Sequence, residues 1–198
     1  WPDKTLCRSE NAAEPGTITI IKKVVGQAPP ADWAYTGDLG EFTLPAVGGT
    51  SEPFSKAAGM YTITETAKPG YTQAVVCNSG ETGEGGVTVS LQPGENVTCT
   101  FTNTAQPGTI TVAKVVVGQP PAAAWPFTGT LGEFTLPAIG GSSDFNGLDA
   151  GYYTINETEV PGYSQSVSCT SGDSGGGSVD VNLQPGAHVT CTFTNTAQ

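Results

Sequence analysis

Three polar side chains fall where strand alternation calls for apolar ones, and between them they carry an amine, a carboxyl and a primary amide. Side chains along a strand alternate faces with period two. In the first strand-like run, Ile18, Ile20 and Lys22 share the apolar face, while Thr17 and Thr19 share the other. Further on, Tyr61, Ile63 and Glu65 share a face against Thr62 and Thr64. Near the middle of the chain, Val97, Cys99, Phe101 and Asn103 share a face against Thr98, Thr100 and Thr102. The pattern recurs as Ile110, Val112, Lys114; as Tyr153, Ile155, Glu157; and as Val189, Cys191, Phe193, Asn195. Each polar residue could stand at a strand end, where phase no longer implies burial, but three such coincidences in both copies weigh against that. A fully buried lysine shifts its pKa by roughly 3–5 units, a cost of about 4–7 kcal/mol, so some arrangement must remove it.

The elements that would position these groups come from an internal repeat. Gly16 to Gln106 aligns with Gly108 to Gln198 at a constant offset, with more than half of the positions identical. GTITIIK pairs with GTITVAK, GMYTITET with GYYTINET, and LQPGENVTCTFTNTAQ with LQPGAHVTCTFTNTAQ. Short β-rich runs punctuated by 27 Gly and 15 Pro, without an amphipathic helical stretch, predict an all-β fold. Each copy has about 90 residues, the size of one immunoglobulin-like sandwich. The division is an N-terminal tail over 1–15, one β-sandwich repeat over 16–106 and a second over 107–198, joined by a short junction stiffened by Pro107.

Cys77 and Cys99 recur at the same spacing as Cys169 and Cys191, which predicts one disulfide within each repeat. A metal site would need further ligands, and no histidine recurs between the copies. Cys7 has no counterpart. It pairs with another chain, pairs beyond this sequence, or stays free, the first two being favoured. The cysteines fit an oxidising, extracellular setting.

GTITIIK at the start of a repeat, Gly59 to Tyr71 in its middle and CTFTNT at its end together resemble the Cna B-type domains of Gram-positive surface adhesins and pilins, and their SpaA-like relatives. The second copy carries the same three pieces, and the likeness covers nearly the whole of each repeat. The resemblance implies two tandem Cna B-type, prealbumin-like sandwiches. It also implies an isopeptide bond between first-strand lysine and last-strand asparagine, promoted by a buried acid: Lys22–Asn103 with Glu65, and Lys114–Asn195 with Glu157. An apolar pocket leaves the lysine a neutral amine nucleophile and keeps the glutamate protonated to polarise the amide and shuttle a proton to the leaving ammonia. The chain departs from many relatives in its cysteine pairs, and some relatives keep the sandwich without the bond.

Composition narrows the function. Seven basic residues against 18 acidic, a net charge of -11, argue against nucleic acid and against an anionic membrane surface. No apolar run is long enough to cross a bilayer, and no secretory signal is present, which predicts a mature chain or an excised fragment. LPAVGG (Leu44 to Gly49) and LPAIGG resemble sorting signals but carry Val47 and Ile139 where Thr is needed, and read as loops. The sequons at Asn96 and Asn156 do not recur between the copies, and His188 reads as a surface histidine. The acidic Gly-rich loops Glu81 to Gly86 and Asp173 to Gly177 have too few regular ligands for calcium. Trp33, Trp125, Tyr35 and Phe127 read as core or interface aromatics. The expected role is a structural subunit or stalk module of an extracellular fibre or pilus at a bacterial surface, needing no cofactor and no metal, and not an enzyme beyond self-catalysed bond formation. Its expected partners are copies of itself or adjacent modules, head to tail. The alternative is an adhesin region that binds a surface ligand, with Glu52 to Ala58 against Asp144 to Ala150 as the variable stretch.

Overall fold

Thr–apolar alternation builds the strands as the sequence predicts. In the computed structural model, which describes residues 13–198, the first strand β1 (Gly16–Val25) buries every second residue from Gly16 to Lys22. Cys7 and the greater part of the 1–15 tail lie outside the described residues; the Glu14 carbonyl accepts a hydrogen bond from Gly94 N.

The chain forms two compact units, one centred on each repeat. In the first, β2 (Trp33–Gly37), β3 (Phe42–Leu44), β4 (Gly49–Thr50), β5 (Phe54–Lys56), β6 (Gly59–Glu65), β7 (Tyr71–Cys77), β8 (Thr82–Gly83), β9 (Gly86–Leu91) and β10 (Asn96–Ala105) follow β1. One sheet has the order β4-β1-β10-β7-β8, with β5 also paired to β1; the other is β3-β2-β6-β9. The first and last strands are therefore neighbours at the centre of the larger sheet. Ile18, Ile20, Trp33, Ile63, Val89, Leu91 and Phe101 form a core between the two sheets with almost no solvent exposure.

The second unit repeats this with β11 (Gly108–Val117), β12 (Trp125–Gly129), β13 (Phe134–Leu136), β14 (Gly141–Leu148), β15 (Gly151–Glu157), β16 (Tyr163–Cys169), β17 (Ser174–Gly175), β18 (Ser178–Leu183) and β19 (His188–Ala197). Its sheets are β14-β11-β19-β16-β17 and β13-β12-β15-β18. The first and last strands pair in parallel over nine residues, from Thr109↔His188 to Val117↔Thr196. No described helix is long and apolar enough to cross a membrane.

The constant sequence offset conceals one slip in register. In the second unit, β14 runs unbroken along β11, with Ile110 opposite Phe145 and a single irregularity between Gly108 and Thr109 where Gly147 is left over. In the first unit, Ile18 lies opposite Phe54, although Phe145 aligns in sequence with Pro53. Both arms absorb one extra residue, the first around Glu52–Pro53, where a proline without an N–H interrupts the ladder, the second at Gly147. Phe54 and Phe145 thereby reach the same place, 5.0 Å from Phe42 and 4.9 Å from Phe134 between ring centres.

Candidate functional site: a buried amine, carboxyl and amide in each sandwich

Lys22 comes from the central strand β1, Glu65 from the last position of β6 in the opposite sheet, and Asn103 from β10. Their exposures are 3%, 3% and 0%. Strand phase thus delivers all three to the interior, as read from the sequence. Lys22 Nζ stands 2.7 Å from Glu65 Oε1, with both side chains wholly shielded from water. The face of Trp33 covers the amine, its ring centre 3.9 Å from Nζ. The Trp33 indole N–H is anchored on Ala46 O at 3.1 Å.

The carboxyl is held from both sides. Tyr35 OH donates to Glu65 Oε1 at 2.8 Å, and Gln73 Nε2 donates to Oε2 at 2.7 Å. Asn103, by contrast, has no hydrogen-bond partner among the described residues on either Oδ1 or Nδ2. A buried primary amide with both ends unpaired is unusual and costly.

The second sandwich assembles the same groups. Lys114, Glu157 and Asn195 are 4%, 6% and 0% exposed. Lys114 Nζ is 2.7 Å from Glu157 Oε1 and 4.2 Å from the centre of the Trp125 ring. Gln165 Nε2 donates to Glu157 Oε2 at 2.9 Å, and Asn195 again lacks partners among the described residues at both side-chain atoms. Here the register sets the spacing of lysine and asparagine along their strands. Lys114 pairs with Phe193, and Asn195 lies two residues further along the same face of the parallel neighbour. That step is about 7 Å, within reach of a lysine side chain.

Burial pushes both lysines below the ordinary 10.5, and the neighbouring glutamates act in the opposite direction without cancelling it. A neutral amine is thus more accessible here than on the surface. Burial, with Glu65 beside it, also raises the Tyr35 phenol well above its ordinary value, so it stays a donor.

The cysteines form Cys77–Cys99 and Cys169–Cys191 disulfides, with Cα atoms 4.0 Å apart in each. In the second sandwich the bonded pair sits directly across β16 and β19. Val47 and Ile139 are exposed on loops, Asn96 and Asn156 accept side-chain hydrogen bonds from Thr17 and Ser178, and His188 stands exposed at the start of β19. Glu81 accepts from Ser79 OH in its own turn and from Ser90 N on β9.

Sequence reading gave Trp33, Trp125 and Tyr35 as core or interface aromatics, without assigning them to the lysine and glutamate; the structure buries all three. Gln73 and Gln165 escaped that reading altogether. Their signal was available: each shares strand phase with the buried Val75 and Cys77, or Val167 and Cys169.

A SpaA-type family model described as a prealbumin-like fold domain matches residues 13–101, and a second so described matches residues 110–197. The chain belongs to the SpaA prealbumin-like family. It does so twice over, with one SpaA domain on each repeat. Comparison with curated proteins gives no match. Among solved structures, the tandem is similar to the TIE protein of Bacillus anthracis, at 21% identity and a TM-score of 0.49, covering 92% of this chain and 34% of that one. It is similar to the T-13 major pilin of Streptococcus pyogenes at 13% identity and a TM-score of 0.37, covering 94% and 98% of the two chains. It is also similar to the pilus adhesin SpaC of Lactobacillus rhamnosus GG at 16% identity and a TM-score of 0.32, covering 92% and 31%. The SpaA tandem therefore spans about a third of the Bacillus anthracis protein.

Proposed function

We propose that this chain is a load-bearing part of a bacterial surface fibre or pilus, in which each domain staples itself through an amide between first and last strands. The bonds are Lys22–Asn103 and Lys114–Asn195, and each site acts once. The observation that carries the reading is a fully buried Lys–Glu pair on the same core as a buried asparagine whose amide has no partner. Leaving the groups as they stand is expensive; joining them removes a buried charge and consumes the orphaned amide.

Chemically, the carboxyl accepts a proton from the ammonium, freeing a nucleophile in an enclosure sealed by the tryptophan. Nζ attacks Cγ of the asparagine, the carboxyl delivers its proton to Nδ2 and takes one back from Nζ, and ammonia leaves. The product is a neutral secondary amide.

The mechanical consequence follows from topology. Tension applied through the ends of a domain loads its first and last strands, which lie side by side in the same sheet. A covalent tie between them diverts that load from the rest of the sandwich. Closing roughly 80 residues into a loop also stabilises by about 4–5 kcal/mol in the chain-entropy account. Head-to-tail neighbours, either copies of this chain or adjoining modules, suit a role in series. The match of both repeats to SpaA prealbumin-like domains accords with this setting.

Intact mass under reducing conditions tests the reading. Loss of one ammonia per domain is expected, dropping to one in total for Lys22→Ala or Lys114→Ala. A mass equal to the sum of the residues would remove the staple and leave a disulfide-bonded tandem.

A further inference from the structure

The two sites differ at one atom that matters. Tyr35 in the first domain is Phe127 in the second, and their rings occupy equivalent places. Tyr35 stacks on Phe42 at 4.8 Å and meets Phe101 edge-on at 5.2 Å; Phe127 stacks on Phe134 at 4.9 Å and meets Phe193 edge-on at 5.1 Å. Each lies directly across from its glutamate, Tyr35 opposite Glu65 and Phe127 opposite Glu157. The rings are 1% exposed in both. What changes is the hydroxyl. Glu65 Oε1 accepts from it while also facing the Lys22 ammonium, whereas Glu157 Oε1 faces the Lys114 ammonium with no hydroxyl beside it.

Resting on the crosslinking reading above, we propose that Tyr35 is a positioning residue that slows amide formation in the first domain, so that the second domain staples first. The reaction begins when a proton leaves Nζ and bonds to the carboxyl, turning ammonium and carboxylate into amine and acid. In the first domain the oxygen facing the lysine already holds the Tyr35 proton in a hydrogen bond, and Gln73 occupies the other oxygen. Hydrogen bonds donated to a carboxylate favour its ionised form. The transfer therefore weakens the Tyr35 bond, which is stronger to a carboxylate than to the neutral acid. In the second domain no tyrosine stabilises the carboxylate, and among the described residues Gln165 is its side-chain donor besides the lysine.

After that transfer the steps are common to both sites. The Nζ–Cγ bond forms, the Cγ–Nδ2 bond breaks, the carboxylic acid gives its proton to Nδ2, and the carboxylate takes one from Nζ. Ammonia departs and the carboxyl ends protonated, so atoms and charge balance. A hydrogen bond to a charged group has a strength that corresponds to roughly ten- to a hundredfold in the population of the reactive pair. The first domain is expected to lag by about that factor.

The test follows newly translated full-length chain in a cell-free reaction under oxidising conditions. Samples are quenched in acidic denaturant and digested, and the Lys22–Asn103 and Lys114–Asn195 crosslinked peptides are quantified by mass spectrometry. The expected result is that the second peptide accumulates first. Tyr35→Phe accelerates the first domain about tenfold or more and leaves the second unchanged; Phe127→Tyr slows the second and leaves the first unchanged. The unaltered domain in each variant serves as an internal clock. A hydroxyl that merely supported the fold would give the opposite sign, because Tyr35→Phe would then retard crosslinking in its own domain. Equal rates in the parent chain, or a Tyr35→Phe rate unchanged or lower, overturn the proposal. Absence of both peptides at long times overturns the crosslinking reading, and the ordering falls with it; both peptides appearing at equal rates leaves the staple standing and removes the role of Tyr35 alone.

Discussion

The two sandwiches pack nearly the same core around two different polar inventories. Ring for ring, Tyr35 and Phe127 sit on equivalent neighbours, yet one gives the buried glutamate a donor and the other does not. At the sheet edge the contrast reverses: different sequences, Glu52–Pro53 and Asn146–Gly147, absorb one extra residue at different points and bring Phe54 and Phe145 to equivalent seats. Shape is conserved across both differences. Steric complementarity and polar satisfaction are therefore separable here, since aromatic stacking tolerates loss of a hydroxyl while the carboxylate beneath it registers the change.

The largest expected effect breaks the buried pair. In a crosslink-free background, Asn103→Ala with Asn195→Ala, replacing either glutamate by alanine leaves a buried lysine alone. Removing one partner of a buried ion pair typically costs about 3–5 kcal/mol. Glu65→Ala also strands the Tyr35 hydroxyl, which adds about 1–3 kcal/mol for an unsatisfied buried donor. Calorimetry of the full chain should therefore show the first domain's transition falling further after Glu65→Ala than the second's after Glu157→Ala. Equal falls would mean that the hydroxyl difference has no energetic weight.

A second expectation concerns pH, where the domains should behave alike because the hydroxyl touches the carboxyl and not the amine. Burial lowers both lysines from 10.5. Between the lowered value and 10.5 the unfolded chain binds more protons than the folded one, so stability rises as pH rises through that window. The penalty is complete below the folded-state value and gone above 10.5. Each lysine contributes at most about 1.4 kcal/mol per pH unit. Urea midpoints of the crosslink-free variant should climb over this range in both domains. The parent chain, its lysines converted to amides, should lack the climb; an identical slope in the two proteins would contradict that conversion.

Strand phase made much of this legible before any coordinates. Period-two alternation placed Lys22, Glu65 and Asn103 inward because a strand has only two faces, and one was already claimed by Ile18, Ile63 and Phe101. The repeat doubled the number of strands read and, through the recurring Cys77 and Cys99, pointed to the disulfides. What alternation could not supply was contact across the sheets. That Trp33 caps the amine and Tyr35 reaches Glu65 depends on which inward residues of one sheet meet which of the other, and register sets that. The slip at Gly147 was hidden for a related reason: an ungapped match of equal lengths cannot reveal that two loops spend their extra residue in different places.

That slip supports the smallest of the expected effects. Gly147 adopts φ +71°, and a Cβ built there would meet nothing within 4 Å. Gly147→Ala therefore isolates backbone strain from crowding, at a cost of about 1–2 kcal/mol for a left-handed conformation. Its sequence counterpart Ser55 pairs regularly with Thr17, so Ser55→Ala should change stability by less than about 0.5 kcal/mol, as surface substitutions usually do. Thermal unfolding of the full chain would register the first as a drop confined to the second domain and the second as almost nothing. Should the two substitutions act equally, the extra residue would not be housed at Gly147, and Phe145 would lose the mechanism that seats it against Phe134.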